Sequence, residues 1–242
     1  RMRPWRSVTK ALTGVACTLA VQEGAVTLDD PPAGPPGSTL RHLLCHASGL
    51  FYESDRVLQA PPGRRRHYSN FGIDEAARHV ERALGRPFED WAHERVIEPL
   101  GMESLLWEGS ASVGAHSPLE DLALLAAEIL RPTLLEERWH RELTRAQLPE
   151  LIGIMPGFGK QTPPNPPSAS DSRSAGPRAR TGPACGTPPP DTVGHFGMRG
   201  GTAFWVDPDA QLALVVGTDL DFCDAHRQIM PRLSDAVLAD FG

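Results

Sequence analysis

Two residues near the start of the chain, Ser7 and Lys10, have the types and spacing of a nucleophile and its activating group. Residues three apart share one face of a helix, so the lysine amine can approach the serine hydroxyl. Partial burial would lower the pKa of the lysine until it accepts a proton, and a helix N-terminus favours negative charge developing nearby. The alternative is a serine that caps the helix and a solvated lysine, because so short a motif also recurs by chance.

The segment HYSN supplies further candidate groups, with Tyr68 and Asn70 on a predicted loop just before a helix. A phenolate beside an ammonium is a workable general base, and an amide two residues away can orient a substrate carbonyl or the lysine. The alternative is a packed tyrosine and an asparagine that only caps the helix.

A glycine-dense segment, GHFGMRGGTAFWVDP, runs into a predicted strand. Glycines let the backbone approach a ligand closely, and free N–H groups at a strand edge can bind a substrate and supply an oxyanion donor. His195 would add a cationic or hydrogen-bonding group at the edge of such a pocket. The alternative is a glycine-rich turn that leads into a hairpin.

The elements that must position these groups follow from hydrophobic periodicity. Helical spacing predicts helices over 8–22, from Leu40 to the start of HASGL at 46–50 (capped by Ser38 or Thr39), 70–84, 87–102, 118–130 (with Ser117 as N-cap), part of 134–148, and 226–241 with an interruption at Pro231. The apolar runs TAFWV and QLALVV flank the turn DPDA and predict a hairpin within 202–217. Helices in the middle and strands near one end predict an α+β fold. We expect one domain over residues 1–242.

Composition excludes several classes of function. The formal net charge of −6 gives no reason to expect a nucleic-acid partner, and no apolar run is long enough to span a membrane. The four cysteines lack a C-x-x-C pair, which argues against a zinc ribbon. His42 and His46 are four apart on the predicted short helix, but no acidic residue of an HExxH motif stands between them, so we expect no metal site there.

Residues 163–190 differ from the rest of the chain. They include nine prolines and no Leu, Ile, Val, Met, Phe, Tyr or Trp, so they offer no apolar burial to offset the entropy of ordering. Disorder is therefore predicted. The second hypothesis for this tract, besides disorder, is a frameshift, either in the gene or in its reading. If SASDSRS is back-translated and then read one nucleotide earlier, it yields Gly-Leu-Gly-Phe-Glu-Ile. Codons incompatible with that offset would remove the second hypothesis.

The order and spacing of SVTK, YSN and HFG resemble the serine β-lactamase and penicillin-binding protein family. The similarity is nearest to the branch with class C β-lactamases, D-alanyl-D-alanine carboxypeptidases and related esterases. VQEGAVTLDDP, TLRHLLCHASGL, RVIEPLGM and FWVDPDAQLALVV also resemble that family. The resemblance covers residues 5–160 and 192–240. It implies an antiparallel sheet flanked by helices plus a helical subdomain, with the family's N-terminal strands absent from this chain.

The resemblance also implies roles for individual residues. Ser7 would be the acylated nucleophile, Lys10 would help to deprotonate it, and Tyr68 would be the partner base and the acid for the leaving group. The other implied members of the site are substrate-binding or positioning groups: Asn70, His195, Gly197 and Met198, with the N–H groups of Ser7 and Met198 forming the oxyanion hole. Acyl transfer through a serine ester needs no metal or cofactor.

The third motif favours some substrates over others. In this family the third motif is K-T-G in the lactamases and commonly H-x-G in the carboxypeptidases and esterases, so His195-Phe196-Gly197 argues against a true β-lactamase. Phe196 stands where the family often has a small hydroxyl residue, which favours an apolar ester or amide over a peptidoglycan or penicillin substrate. The expected partner is therefore a small ester, amide or peptide substrate. Oligomeric state and compartment stay open.

Two hypotheses about function follow from these observations. The first is a serine hydrolase that acts through an acyl-enzyme on an ester, amide or β-lactam-like substrate. The second is a catalytically silent member of the family, either a binding module or a damaged gene product, because a missing strand beside the third motif would misplace Met198 and His195.

Overall fold

The structure is a computed structural model that describes residues 1–52, 58–155, 159–161, 192–197, 201–221 and 224–241. The predicted tract 163–190, with its disorder and frameshift hypotheses, lies outside the described residues, and so does Met198. Within the described residues, helices and short strands are combined as the sequence predicted for an α+β fold. None of the helices described is long and apolar enough to cross a membrane.

The described helices are α1 (Thr9–Gln22), α2 (Leu40–Leu44), α3 (Asn70–Leu84), α4 (Phe88–Ala92), α5 (Leu119–Leu130), α6 (Glu137–Thr144) and α7 (Asp224–Phe241). A 3₁₀ turn at Arg6–Val8 leads into α1, and a π-helical turn at His93–Ile97 continues α4. The described strands are β1 (Arg3–Pro4), β2 (Arg66–His67), β3 (Leu106–Trp107), β4 (Ala115–Ser117), β5 (Gly153–Met155), β6 (Gly159–Gln161), β7 (Val193–Phe196), β8 (Thr202–Asp207) and β9 (Leu212–Gly217).

The strands form three small sheets. The largest has the order β7-β8-β9, is antiparallel throughout, and pairs His195 with Phe204 across β7 and β8. A second sheet, β1-β4-β3, is also antiparallel. The third has the order β2-β5-β6, with β2 parallel to β5 and β5 antiparallel to β6. Helix α5 packs against β8 and β9, so the antiparallel sheet has a helix on one face.

Helix α1 lies at the centre of the core. Every residue from Thr9 to Val21 is buried. A helix that is buried on all sides must use its polar side chains internally. Thr13 donates a hydrogen bond to the carbonyl of Ala111, and Thr18 donates one to the carbonyl of Gly14. The first turn of α1 therefore has a fixed position relative to the surrounding elements.

Local capping signals account for the ends of two helices. The Thr39 side chain accepts the His42 N–H at the start of α2, so Thr39 rather than Ser38 is the cap. Ser69 caps α3 in the same way by accepting the Gly72 N–H. Helix α3 ends at Gly85, whose φ of 68° is the left-handed conformation that glycine adopts most readily.

Two predictions about the helices were wrong. Ser117 does not cap α5, because it pairs with Arg3 in the β1–β4 ladder and its hydroxyl accepts the indole N–H of Trp5 at 2.9 Å. Pro231 does not interrupt the last helix, since α7 runs from Asp224 to Phe241 as one element. The part of α7 after the proline is anchored to the sheet, because the Trp205 indole donates to Ser234 at 2.8 Å.

Candidate active site

Lys10 lies at the centre of the candidate site. Its side chain is buried, with 1% of its surface exposed. The Nζ atom lies 3.2 Å from Ser7 Oγ, 2.7 Å from Asn70 Oδ1 and 3.0 Å from the carbonyl oxygen of Ser112. An ammonium has three N–H donors, and these acceptors would use all of them. Lys10 therefore joins three segments of the chain that are far apart in sequence.

Ser7 lies in the 3₁₀ turn Arg6–Val8 at the head of α1. The turn is closed by the Val8 N–H, which donates to the Trp5 carbonyl at 3.1 Å. Arg6, directly before the serine, has a φ of 51°, which is uncommon for a residue with a side chain. Such backbone strain is often found at functional sites because the surrounding structure must hold it in place. The buried helix α1 provides that support.

Tyr68, in the short connection between β2 and α3, and Asn70, the first residue of α3, both reach Lys10. The Tyr68 ring centroid lies 4.9 Å from Lys10 Nζ, so the ammonium lies against the aromatic ring. Ser69 is the helix cap, and its hydroxyl also donates to the carbonyl of Phe51 at 3.1 Å. Because Ser69 caps α3, the amide oxygen of Asn70 is available to accept from Lys10. Ser69 thus caps the helix, and its neighbour Asn70 contacts the lysine.

His195 reaches the same place from β7. It is buried, and its ring centroid lies 6.1 Å from that of Tyr68. Its Nδ1 lies 2.9 Å from the carbonyl of Phe196, which can only accept, so Nδ1 carries the proton and donates. Among the described residues, Nε2 has no hydrogen-bond partner.

The environment of His195 decides its charge. Burial holds the pKa of His195 well below its usual range, and the nearby cation of Lys10 lowers it further. The sequence left open whether this histidine is cationic or a neutral hydrogen-bonding group. In the structure it is a neutral imidazole at physiological pH, with its Nε2 lone pair available to a donor.

Gly197 lets β7 approach the turn that carries Ser7. A Cβ atom at this position would lie 2.7 Å from the carbonyl oxygen of Trp5 and 3.1 Å from Cβ of Arg6. Contacts that short force one backbone away from the other. Only glycine therefore allows β7 and the Arg6–Val8 turn to pack as closely as they do.

The structure brings Ser7, Lys10, Tyr68, Asn70, His195 and Gly197 to one place, while Met198 lies outside the described residues. Sequence reasoning missed two contributors. One is the backbone carbonyl of Ser112, which has no sequence signal because any residue supplies a carbonyl; its position is fixed by the Ser112 N–H, which donates to Asp74 at 2.9 Å.

His46 is the second missed contributor. Its ring centroid lies 4.5 Å from that of Tyr68. Helix α2 ends at Leu44 and His46 has a φ of 56°, so His42 and His46 do not share a helix as the sequence indicated. His42 instead accepts the backbone N–H of Thr39. Among the residues that the structure describes, no group of three or more His, Cys, Asp or Glu side chains is arranged to hold a metal ion.

Comparison with known proteins establishes the family. The Beta-lactamase family model matches residues 2–236, which is nearly the whole chain. The chain belongs to the β-lactamase family, and its fold is β-lactamase/transpeptidase-like, as the three motifs predicted.

Individual relatives agree with this assignment. A beta-lactamase from Mycobacterium bovis, known from its crystal structure, has 42% sequence identity to this chain and a TM-score of 0.91. The match covers 100% of this chain and 88% of that one. A D-stereospecific amidohydrolase from Streptomyces sp. shares the fold, with a TM-score of 0.71 at 17% identity over 95% of this chain and 85% of that one.

A curated relative is matched over a shorter region. The D-alanyl-D-alanine-carboxypeptidase/endopeptidase AmpH of Escherichia coli is 27% identical in an alignment of 139 residues, and the match covers 43% of this chain and 36% of AmpH. The match therefore spans about a third of the length of that relative.

Proposed function

We propose that this chain is a serine hydrolase that acts through an acyl-enzyme intermediate, with Ser7 as its nucleophile. The observation that carries the proposal is the position of Lys10 Nζ, which lies 3.2 Å from Ser7 Oγ and 4.9 Å from the Tyr68 ring centroid. A hydroxyl, an amine and a phenol in one partly buried cluster are the groups that acyl transfer to a serine requires. Membership of the β-lactamase family supports the same reaction class.

The hydrogen-bond pattern of Lys10 favours Tyr68 as the group that takes the serine proton. If all three ammonium protons are donated to Ser7, Asn70 and the Ser112 carbonyl, Lys10 has no lone pair to accept a fourth. Its charge then stabilises a phenolate on Tyr68 and the oxygen of Ser7 as that oxygen loses its proton. The Ser7 Oγ–H proton passes to the phenolate as the Oγ–carbonyl carbon bond forms.

The remaining steps return Ser7 and Tyr68 to their starting protonation states. The tetrahedral oxyanion would be held by the N–H groups of Ser7 and Met198, the role that the resemblance assigns to them. Tyr68 then protonates the leaving alkoxide or amine as its bond to the carbonyl carbon breaks. Water attacks the Ser7 ester and gives a proton to Tyr68. As the bond between the acyl carbon and Ser7 Oγ breaks, Tyr68 passes that proton to Ser7 Oγ and the acid is released.

The third motif supports a substrate without a carboxylate near the scissile bond. His195 is neutral because burial and the Lys10 cation lower its pKa, so it does not supply a positive charge from β7. Phe196 adds an apolar side chain next to it. Tyr52, 6.2 Å from Tyr68 between ring centroids, adds a partly exposed aromatic surface. An apolar ester or amide matches this lining better than a carboxylate-bearing β-lactam or peptide.

Intact-mass measurement after treatment with a fluorophosphonate tests the reaction class. We expect one adduct on the folded chain, located at Ser7 by peptide mapping and missing from Ser7→Ala. No adduct on the folded wild-type chain would contradict the proposal and favour the catalytically silent alternative.

A second set of reagents tests the substrate class. p-Nitrophenyl butyrate should be hydrolysed in a Ser7-dependent manner, with a higher kcat/KM than a penicillin or a D-alanyl-D-alanine peptide, both of which carry a carboxylate. A preference for either carboxylate-bearing substrate would overturn the substrate class and leave the acyl-enzyme reaction in place.

A further inference from the structure

His46 is a buried residue with an unusual backbone conformation next to Tyr68. It follows α2 directly after Cys45, and 1% of its surface is exposed. Its φ of 56° lies in the left-handed region, where Asn, Asp and His occur more often than other residues with a side chain. A residue chosen only to fill the core would not need this conformation or a polar ring.

The hydrogen bonds of His46 hold the backbone on both sides of Tyr68. The His67 N–H donates to the carbonyl of His46 at 2.8 Å. The Ser69 N–H donates to Nδ1 of the His46 ring at 3.1 Å. The residues immediately before and after the tyrosine are thus attached to one histidine.

The ring of His46 also contacts the tyrosine itself. The two ring centroids are 4.5 Å apart with an interplanar angle of 37°, which is within the range of favourable aromatic packing. The Tyr68 ring also lies against the ammonium of Lys10, with Nζ 4.9 Å from its centroid. His46 and Lys10 therefore restrict the ring together with His195, at 6.1 Å between centroids.

The contact with Ser69 fixes the tautomer of His46. A ring nitrogen that accepts an N–H cannot carry a proton, so Nδ1 is unprotonated and the neutral ring has its proton on Nε2. A protonated Nδ1 would face the Ser69 N–H with a second N–H and the hydrogen bond would be lost. The arrangement thus requires an acceptor at the Nδ1 position.

We infer that His46 is a positioning residue, which through its Nδ1 acceptor and its carbonyl holds Tyr68 against Lys10. The inference rests on the proposed function, in which Tyr68 takes the serine proton. His46 contacts the candidate base and not the substrate, so it acts on the reaction through Tyr68.

Two substitutions at His46 separate the effect of its Nδ1 acceptor from the effect of its aromatic ring. Asn places its Oδ1 near the position of His Nδ1 and tolerates a positive φ, but it lacks the ring. Phe keeps a ring but has no acceptor. We expect His46→Ala to lower kcat for p-nitrophenyl butyrate by about 10- to 100-fold with a smaller change in KM, His46→Asn to recover most of that loss, and His46→Phe to recover little.

A titration of Tyr68 tests the inference without relying on activity. The chain has two tyrosines, so in a Tyr52→Phe background the ultraviolet absorbance of tyrosinate reports Tyr68 alone. If His46 holds the phenol near the Lys10 cation, His46→Ala and His46→Phe should move the Tyr68 titration midpoint upwards, and His46→Asn should leave it close to the parent value. Thermal unfolding of each variant identifies those that are folded at the assay temperature.

The outcomes separate this inference from the proposed function. A wild-type chain that forms no fluorophosphonate adduct contradicts the proposed function, while the titration still decides whether His46 controls Tyr68. A folded His46→Phe with the parent midpoint and rate would overturn the inference and leave the serine hydrolase in place. A His46→Asn no better than His46→Phe would overturn it as well, because the acceptor would then have no effect.

Discussion

The two sides of the candidate site are held together in different ways. The side that we call the helical wall consists of the first turn of α1, the start of α3, and the residues around His46. Side-chain hydrogen bonds between distant segments hold it, such as those from Lys10 to Asn70 and to the Ser112 carbonyl. The side that we call the strand wall is β7 with Gly197, and it is held by the β7–β8 ladder and by close backbone packing.

This difference determines which changes each wall tolerates. On the helical wall a substitution that keeps the shape but removes a donor or acceptor leaves buried polar groups unpaired. On the strand wall the backbone makes most of the hydrogen bonds, so the volume of a side chain matters more than its hydrogen-bonding groups. The helical wall should therefore be sensitive to isosteric changes, and the strand wall to an added methyl group.

Lys10→Met should produce the largest effect, because it removes the group that joins the segments of the helical wall. The side chain keeps a similar length but has no donor for Ser7, Asn70 or the Ser112 carbonyl. We expect the rate of fluorophosphonate labelling to fall by about 10²–10³-fold, the range for loss of a preorganised group that stabilises developing negative charge. Intact-mass kinetics measures it.

Arg95→Met is a control for the replacement of a cationic side chain by methionine. Arg95 forms an exposed ion pair with Glu23 and does not contact the site, so labelling should be unchanged. Wild-type labelling of folded Lys10→Met would show that Ser7 is activated without this amine, which would contradict the proposed role of the helical wall.

Gly197→Ala should produce the next largest effect and tests the strand wall. The added Cβ would lie 2.7 Å from the Trp5 carbonyl, so β7 must move away from the turn that carries Ser7. A displacement of about 1 Å in a catalytic site can lower a rate by roughly 100-fold. We expect a loss of that order in labelling and in ester hydrolysis.

Gly194→Ala provides the comparison inside β7, the strand that Gly197 directly follows. Its Cβ would lie 2.5 Å from the carbonyl of Phe204, inside the β7–β8 ladder and away from the Ser7 turn. For the same loss of rate, Gly194→Ala should show a larger decrease in the free energy of unfolding than Gly197→Ala. If both variants show the same ratio of rate loss to stability loss, the contact between Gly197 and the Ser7 turn has no special role.

The two walls also differ in how well the sequence predicted them. Helix spacing and caps are local, so α1, α2 and α3 and the separation of Ser7 from Lys10 could be inferred from the residues alone. The family resemblance then predicted that Tyr68, Asn70 and His195 would converge with them. The distances place all five together, although their roles in the reaction remain a proposal.

The missed features depend on tertiary structure. The carbonyl of Ser112 is an acceptor for Lys10 because of where the chain folds, and no residue type marks such a position. The spacing of His46 predicts only a helical partner for His42, because spacing does not reveal a residue with a φ of 56°. Ser117 has the pattern of a helix cap, but pairing with β1 places it in a strand.

The smallest expected effect is a change in how stability depends on pH. Burial and the Lys10 cation lower the pKa of His195, so in the folded chain it stays neutral, while in the unfolded chain it binds a proton below its ordinary value of 6.5. The unfolded state then binds more protons, so the free energy of unfolding falls as pH decreases through that range. His195→Asn should reduce the slope below pH 6.5 by up to about 1.4 kcal/mol per pH unit, measured by urea unfolding at a series of pH values.

Glu142→Gln provides the corresponding test away from the site and at lower pH. Burial acts to raise the pKa of Glu142, but hydrogen bonds from Arg145, Arg41 and Gln147 outweigh it and hold the pKa at about 2. Its stabilising effect is present above the ordinary value of 4.5 and is lost as pH falls towards 2. Glu142→Gln should therefore alter the slope only in the more acidic range. A slope below pH 6.5 that is the same in His195→Asn and the wild-type chain would mean that the strand wall accepts a proton when folded, and the assignment of a neutral His195 would be wrong.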